Sequence, residues 1–211
     1  MNFFGHTVLA VKRRKDPAFV LGSMLPDFAT MIRARPPHTE HVDIDSGMQF
    51  HWRTDEVFHR SPAFLALTRQ AVVWLSARGV RSGSALAVAH VGVEVLLDAA
   101  LSDDEGAQHA YRAALEGAAP DDLGRYVEWA SDEQRDRFTT LRGRLLARGA
   151  VTADIAPDTV AERLRSALAD RPRLSLDDTS VQTVRDWART ARADVSAQAA
   201  PLIKEIAALL L

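Results

Sequence analysis

Residues 61–79, Ser61-Pro62-Ala63-Phe64-Leu65-Ala66-Leu67-Thr68-Arg69-Gln70-Ala71-Val72-Val73-Trp74-Leu75-Ser76-Ala77-Arg78-Gly79, decide the fold class. Ser61 suits a helix N-cap and Pro62 the first helical position, where a missing amide proton costs nothing. Gly79 suits the left-handed residue that closes a helix. The stretch between them predicts a helix through Ala77. The same grammar repeats outward. Asp16-Pro17 opens a helix over about 17–34, which Arg35-Pro36-Pro37-His38 ends, and a further helix is expected near 46–58. Ser82 or Ser84 opens an apolar helix to about Leu101. Ser102-Asp103-Asp104-Glu105, Ala119-Pro120-Asp121 and Ser131-Asp132-Glu133 mark later starts, and Pro157 and Pro201 punctuate the rest. Leu, Ala, Arg and Glu dominate, and period-two alternation is rare, so the expected fold is all-α.

The 211 residues suit one domain, with the first half (1–101) and a helical extension (102–211) differing in character. Six of the seven histidines lie in the first 90 residues: His6, His38, His41, His51, His59 and His90. The region after about 104 is amphipathic helix whose charges read as a solvated face. The absence of cysteine excludes disulfides, thiolate metal sites and cysteine nucleophiles. A formal net charge of −2 gives no general attraction to nucleic acid or anionic membranes. No run of about 18 apolar residues is present, so no bilayer span is expected. His6 in the first apolar stretch, followed by Lys12, Arg13, Arg14 and Lys15, does not read as a secretory signal. The expectation is a soluble, cytoplasmic protein.

Two segments concentrate ionisable side chains at helical spacing. His51, Asp55 and His59 fall at i, i+4 and i+8, about 6 Å from one to the next along one helix face. Imidazole and carboxylate one turn apart are how a helix offers two ligands to one cation. His90, Glu94 and Asp98 repeat the spacing among Ala, Val and Leu, where unpaired carboxylates are costly to bury. His6 and Asp27 sit in apolar surroundings near the start. The resulting series (His6, Asp27, His51, Asp55, Glu94, Asp98) suits a metal that takes oxygen and nitrogen ligands, Mn²⁺, Fe²⁺, Zn²⁺ or Mg²⁺. The helices bearing Asp27, His51/Asp55 and Glu94/Asp98 are expected to converge on one pocket with His6 at its wall. His59 and His90 are candidate catalytic groups that protonate a leaving group. Neither Gly-x-Ser-x-Gly, Gly-x-Gly-x-x-Gly nor a Walker pattern occurs.

Met1-Asn2-Phe3-x-x-His6-x-x-Leu9-Ala10, Gly22-x-x-Leu25-x-Asp27-Phe28, Gly47-x-x-x-His51-x-x-x-Asp55 with Pro62 seven residues later, and Glu94-x-x-x-Asp98-x-x-Leu101 together resemble the acyl-carrier-protein phosphodiesterase family over residues 1–101. The resemblance implies an HD-like all-helical fold. It also implies manganese-dependent hydrolysis of the phosphodiester joining 4′-phosphopantetheine to a serine of an acidic acyl carrier protein. The chain departs from the family pattern at three places: Gln49 replaces a common histidine, His59 replaces an acid, and Ala99 replaces the histidine that follows the second acid of the third motif. His90, one turn before Glu94, offers a compensating imidazole. Two alternatives stay open. One is a non-catalytic helical interaction protein derived from such a hydrolase; the other is a hydrolase of this fold with another phosphoester substrate. An enzyme acting on an acidic carrier protein needs a basic docking surface, for which Lys12, Arg13, Arg14, Lys15, Arg33 and Arg35 are candidates.

Overall fold

The computed structural model describes residues 1–149 and 155–210. Among them the fold is all-α: α1 (Phe3–Arg13), α2 (Pro17–Met31), α3 (Val42–Arg60), α4 (Pro62–Ser76), α5 (Ser82–Ala100), α6 (Glu105–Gly117), α7 (Asp132–Arg148), α8 (Pro157–Leu168) and α9 (Asp178–Leu210), with no strand. Side-chain caps and first-turn prolines together account for most starts. Asp16 accepts the Phe19 amide at 3.0 Å and Asp104 accepts the Ala107 amide at 2.9 Å, each beginning a helix as an N-cap should. Pro17, Pro62 and Pro157 occupy first turns. Gly79 takes φ +87° after α4, the left-handed conformation that a Cβ disfavours.

Two expected elements differ. The start at Ala119-Pro120-Asp121 yields only a 3-10 turn, Leu123–Tyr126. Gly124 lies in this turn, where a Cβ would lie 2.5 Å from both the Ala118 and Ala119 carbonyl oxygens. Pro201 does not break α9, which runs through it. Pro201 and Ala197, whose carbonyl loses its amide donor, both face solvent, so water can replace that bond.

The chain forms two compact units: Met1–Val57, Ser102–Val151 and Ala207–Leu211 make the first, Phe58–Leu101 and Thr152–Ile206 the second. The units interleave along the sequence. The reason lies in α6, which packs on both α1 and α2 in the first unit. Its Tyr111 ring lies 5.8 Å from Phe3 and 5.9 Å from Phe4. Residues after 101 therefore build core as well as solvated face.

In the first unit α2 is buried on nearly every side. Phe19, Val20, Leu21, Met24, Leu25 and Phe28 are all shielded, as expected of a helix apolar all round. Phe28 reaches Phe3 of α1 at 5.6 Å and Phe138 of α7 at 6.2 Å. In the second unit α5 packs on α4 and α8. By length and composition α5 could cross a membrane, alone among the described helices. His90, Glu94 and Asp98 interrupt its apolar run. Its Ala85, Val88, Ala89, Val93 and Leu96 are buried.

Candidate functional site

The first unit brings His6, Asp27, His51 and Asp55 together. α1 carries His6, α2 carries Asp27, and α3 carries His51 and Asp55 one turn apart. His6, Asp27 and His51 each offer a ligand atom, all within 4.8 Å of one another. Asp55 lies outside that set of three but touches both rings, with Oδ1 3.2 Å from His6 Nε2 and Oδ2 3.6 Å from His51 Nε2. The two imidazoles stack at a centroid distance of 3.8 Å and are fully shielded from solvent or nearly so.

Their hydrogen bonds fix the ring tautomers. His51 Nδ1 lies 2.9 Å from the Ser23 carbonyl. A carbonyl only accepts, so Nδ1 carries the proton and Nε2 presents its lone pair on the Asp55 side. The Thr54 hydroxyl donates to the His51 carbonyl at 2.7 Å, which uses its one proton. At 2.8 Å from His6 Nδ1 it therefore accepts an Nδ1–H. His6 Nε2 then faces two further acceptors, the Met1 carbonyl at 3.0 Å and Asp55 Oδ1 at 3.2 Å. A neutral Nδ1–H ring has no proton for either. His6 is thus an imidazolium, or it meets a cation through Nε2.

The electrostatics agree with a cation-binding position. Burial and the charge of His6 push the His51 pKa down to about 3, so this ring is neutral at physiological pH. Burial pushes Asp55 up, but the hydrogen bond and charge of His6, together with the α-amino group of Met1 at 2.7 Å, outweigh it and leave the carboxyl well below its usual range. Two imidazoles held at Nδ1 by oxygen acceptors and turned Nε2-inward, with two carboxylates, are the donor set and orientation that a divalent metal uses. The residues present fit such an ion.

The second unit holds His59, His90, Glu94 and Asp98. Glu94 Oε1 lies 3.2 Å from His59 Nε2 and 3.1 Å from His90 Nε2. The two rings stack at 4.9 Å and rest edge-on against Phe64. Burial raises the Glu94 pKa, but the hydrogen bonds from His59 and His90 prevail and the carboxyl stays ionised far below its usual range. Asp98 is buried one turn further along α5, outside the set formed by His59, His90 and Glu94.

Sequence reasoning placed neither Ser23 nor Thr54 at the site. Ser23 acts through its carbonyl, which no residue type encodes. Thr54 carries one available signal: it is a hydroxyl residue beside Asp55 on the helix that bears His51.

The basic residues proposed for docking are surface residues, and Arg13 and Arg14 are already engaged within the chain. Arg14 pairs with Asp43 at 2.6 Å and lies 4.9 Å over the Phe19 ring. Arg13 donates to the Leu210 carbonyl at 3.2 Å. Comparison with known proteins finds no matching family model, curated protein or solved structure.

Proposed function

We propose that the chain is a metal-dependent phosphodiester hydrolase with an HD-like helical domain, similar to acyl-carrier-protein phosphodiesterase, and that His6, Asp27, His51 and Asp55 hold its metal. The supporting observation is the opposed anchoring of the two rings: His51 Nδ1 on the Ser23 carbonyl and His6 Nδ1 on Thr54, with both Nε2 atoms near Asp55. Mn²⁺ is the ion the family resemblance implies, and Fe²⁺, Zn²⁺ and Mg²⁺ suit the same donors. When bound, such an ion polarises phosphoryl oxygens and acidifies a water into a nucleophile near neutral pH.

The residues of the chain do the rest. Asp27 and Asp55 supply the negative charge that balances a divalent cation. Ser23 and Thr54 hold both imidazoles at Nδ1, so His51 presents its Nε2 lone pair directly and His6 does so once a cation displaces its Nε2 proton. Burial keeps His51 unprotonated at the pH where the reaction runs. The proposed substrate is a phosphodiester, either small or carried as 4′-phosphopantetheine on an acidic carrier protein, and the proposed location is the cytoplasm.

A second reading is a non-catalytic helical protein that keeps the scaffold. Ala99 favours it, because a buried methyl stands where the family pattern has a histidine. Metal content and hydrolysis of bis(p-nitrophenyl) phosphate separate the two. The enzyme reading expects bound Mn, Fe or Zn, turnover of the diester, and, in His51→Ala and Asp55→Asn, loss of turnover together with the metal equivalent held by the first unit. Metal without turnover on this diester or on a holo-carrier protein favours the scaffold reading. Turnover of the diester but not of the carrier protein assigns another phosphoester substrate.

A further inference from the structure

We propose that His59, His90 and Glu94 form a second site for a divalent cation of the zinc class, wholly within the second unit. The three groups come from two helices, the last turn of α3 and the middle of α5. Glu94 Oε1 stands 3.1 and 3.2 Å from the two Nε2 atoms, and all three ligand atoms lie within 4.8 Å of one another. Ligands held 2.0–2.1 Å from a tetrahedral zinc are separated by about 3.3 Å. The carboxylate–imidazole separations in this trio already match that value, so the ion needs only a small displacement of the side chains to enter.

Three further observations bear on the site. Phe64 packs edge-on against both rings, at 5.4 Å from each, which restricts their rotation. Gly92 keeps α5 in register with its neighbours, since a Cβ there would lie 2.5 Å from the Trp187 ring. Glu94 is mostly buried, whereas the His90 side chain is 48% and the His59 side chain 34% exposed. The anion is therefore set at the back and the imidazoles at the mouth. Two imidazoles and one carboxylate leave a coordination position for water, the donor set of an open zinc site. This trio is also not the ligand set that the family resemblance implies. The family has an acid at the position of His59, and His90 lies outside its motifs.

The ordinary alternative is two imidazole N–H groups hydrogen-bonded to one carboxylate. Metal binding distinguishes them and does not depend on the enzymatic reading. The full chain is stripped with chelator and titrated with Zn²⁺ by equilibrium dialysis. It is then titrated with Co²⁺, whose visible absorption reports ligand field and coordination number. The variants are His90→Ala and Glu94→Gln, with His51→Ala as the control for the first unit. His90 is half exposed, so its truncation leaves the fold intact, and circular dichroism checks this.

The site predicts that His90→Ala and Glu94→Gln each lose one equivalent of Zn²⁺ relative to the parent, or weaken it at least tenfold, and lose the matching part of the Co²⁺ spectrum. It also predicts that His51→Ala retains that part. The same Zn²⁺ stoichiometry and affinity in the parent, His90→Ala and Glu94→Gln overturns the proposal, whether or not the first unit binds metal. Loss of the same single equivalent in His51→Ala and His90→Ala also overturns it, because a self-contained site in the second unit cannot give that result.

Discussion

Gly22 on α2 and Gly47 on α3 meet backbone to backbone. A Cβ on Gly22 would lie 2.1 Å from the Ile44 carbonyl oxygen, and one on Gly47 would lie 2.2 Å from the Phe19 carbonyl oxygen. Neither obstacle is the end of a flexible side chain, so neither can yield. The crossing also sets the chemistry. Ser23 follows Gly22, His51 comes one turn after Gly47, and the hydrogen bond between them exists because the two helices approach this closely.

Gly22→Ala and Gly47→Ala are therefore expected to cost more than the roughly 1–3 kcal/mol of ordinary overpacking. Chemical denaturation measures this. Wild-type stability in either variant would refute the close crossing. If a variant still folds, its metal affinity should fall, because His51 moves away from Ser23.

Thr54→Val preserves shape and removes the hydroxyl that receives the His6 Nδ1 proton. The expected cost in stability is about 1–3 kcal/mol for a buried donor left without its acceptor. Metal affinity should fall by about 10–100-fold, the usual consequence of losing a group that orients a ligand. Competition against a chromogenic chelator reads the change. An unchanged affinity would show that Thr54 does not orient His6.

The metal-free chain should lose stability as pH falls. The folded-state pKa of His51 is depressed to about 3, against about 6.5 for an unfolded histidine. Between those values the unfolded chain binds the extra proton. The contribution is thus complete above about pH 6.5 and is lost progressively towards pH 3. Asp55 is depressed too, so its contribution is present above the usual carboxyl value near 3.9 and disappears as pH falls further. In excess chelator the melting temperature should decline from about pH 6.5 downward. In His51→Gln the decline between about 6.5 and 4 should flatten. Equal slopes in both proteins would reject a buried neutral His51.

Docking of an acidic carrier protein is tested more cleanly at Lys12 and Lys15 than at Arg14, which is already paired with Asp43. Lys12→Glu/Lys15→Glu should lower cleavage of a holo-carrier protein and weaken its dependence on salt. Turnover of a small phosphodiester should stay the same. Equal effects on both substrates would remove this surface from consideration as a docking site.

The helical grammar was legible in the sequence where a local residue acts on its own neighbours. Asp16-Pro17, Pro62 and Asp104 mark starts because caps and prolines work within one turn, whereas Ser61 holds the N-cap position without a side-chain capping bond. The spacings His51/Asp55 and His90/Glu94 likewise bring those pairs together, because four residues is about one helical turn. Three features depended on partners distant in sequence and were not legible. Phe58 and His59 leave the unit that holds His51 although they share its helix. Thr54 has its role only because His6, 48 residues away, arrives beside it. Gly22 and Gly47 read as ordinary helix-weakening residues until the two backbones meet.

The interleaving of the two units has a consequence for how the chain can be made and cut. Closing the first unit requires residues 1–57 to find 102–151 and 207–211; closing the second joins 58–101 to 152–206. During synthesis, both units therefore wait for segments that leave the ribosome long after their first helices. Contacts between such remote segments slow folding, since each loop must close before its contact contributes. No single break in the polypeptide releases either unit whole, so recombination or domain shuffling that joins fragments at one point cannot transfer the His6/His51 centre without the helices on the far side of residue 101.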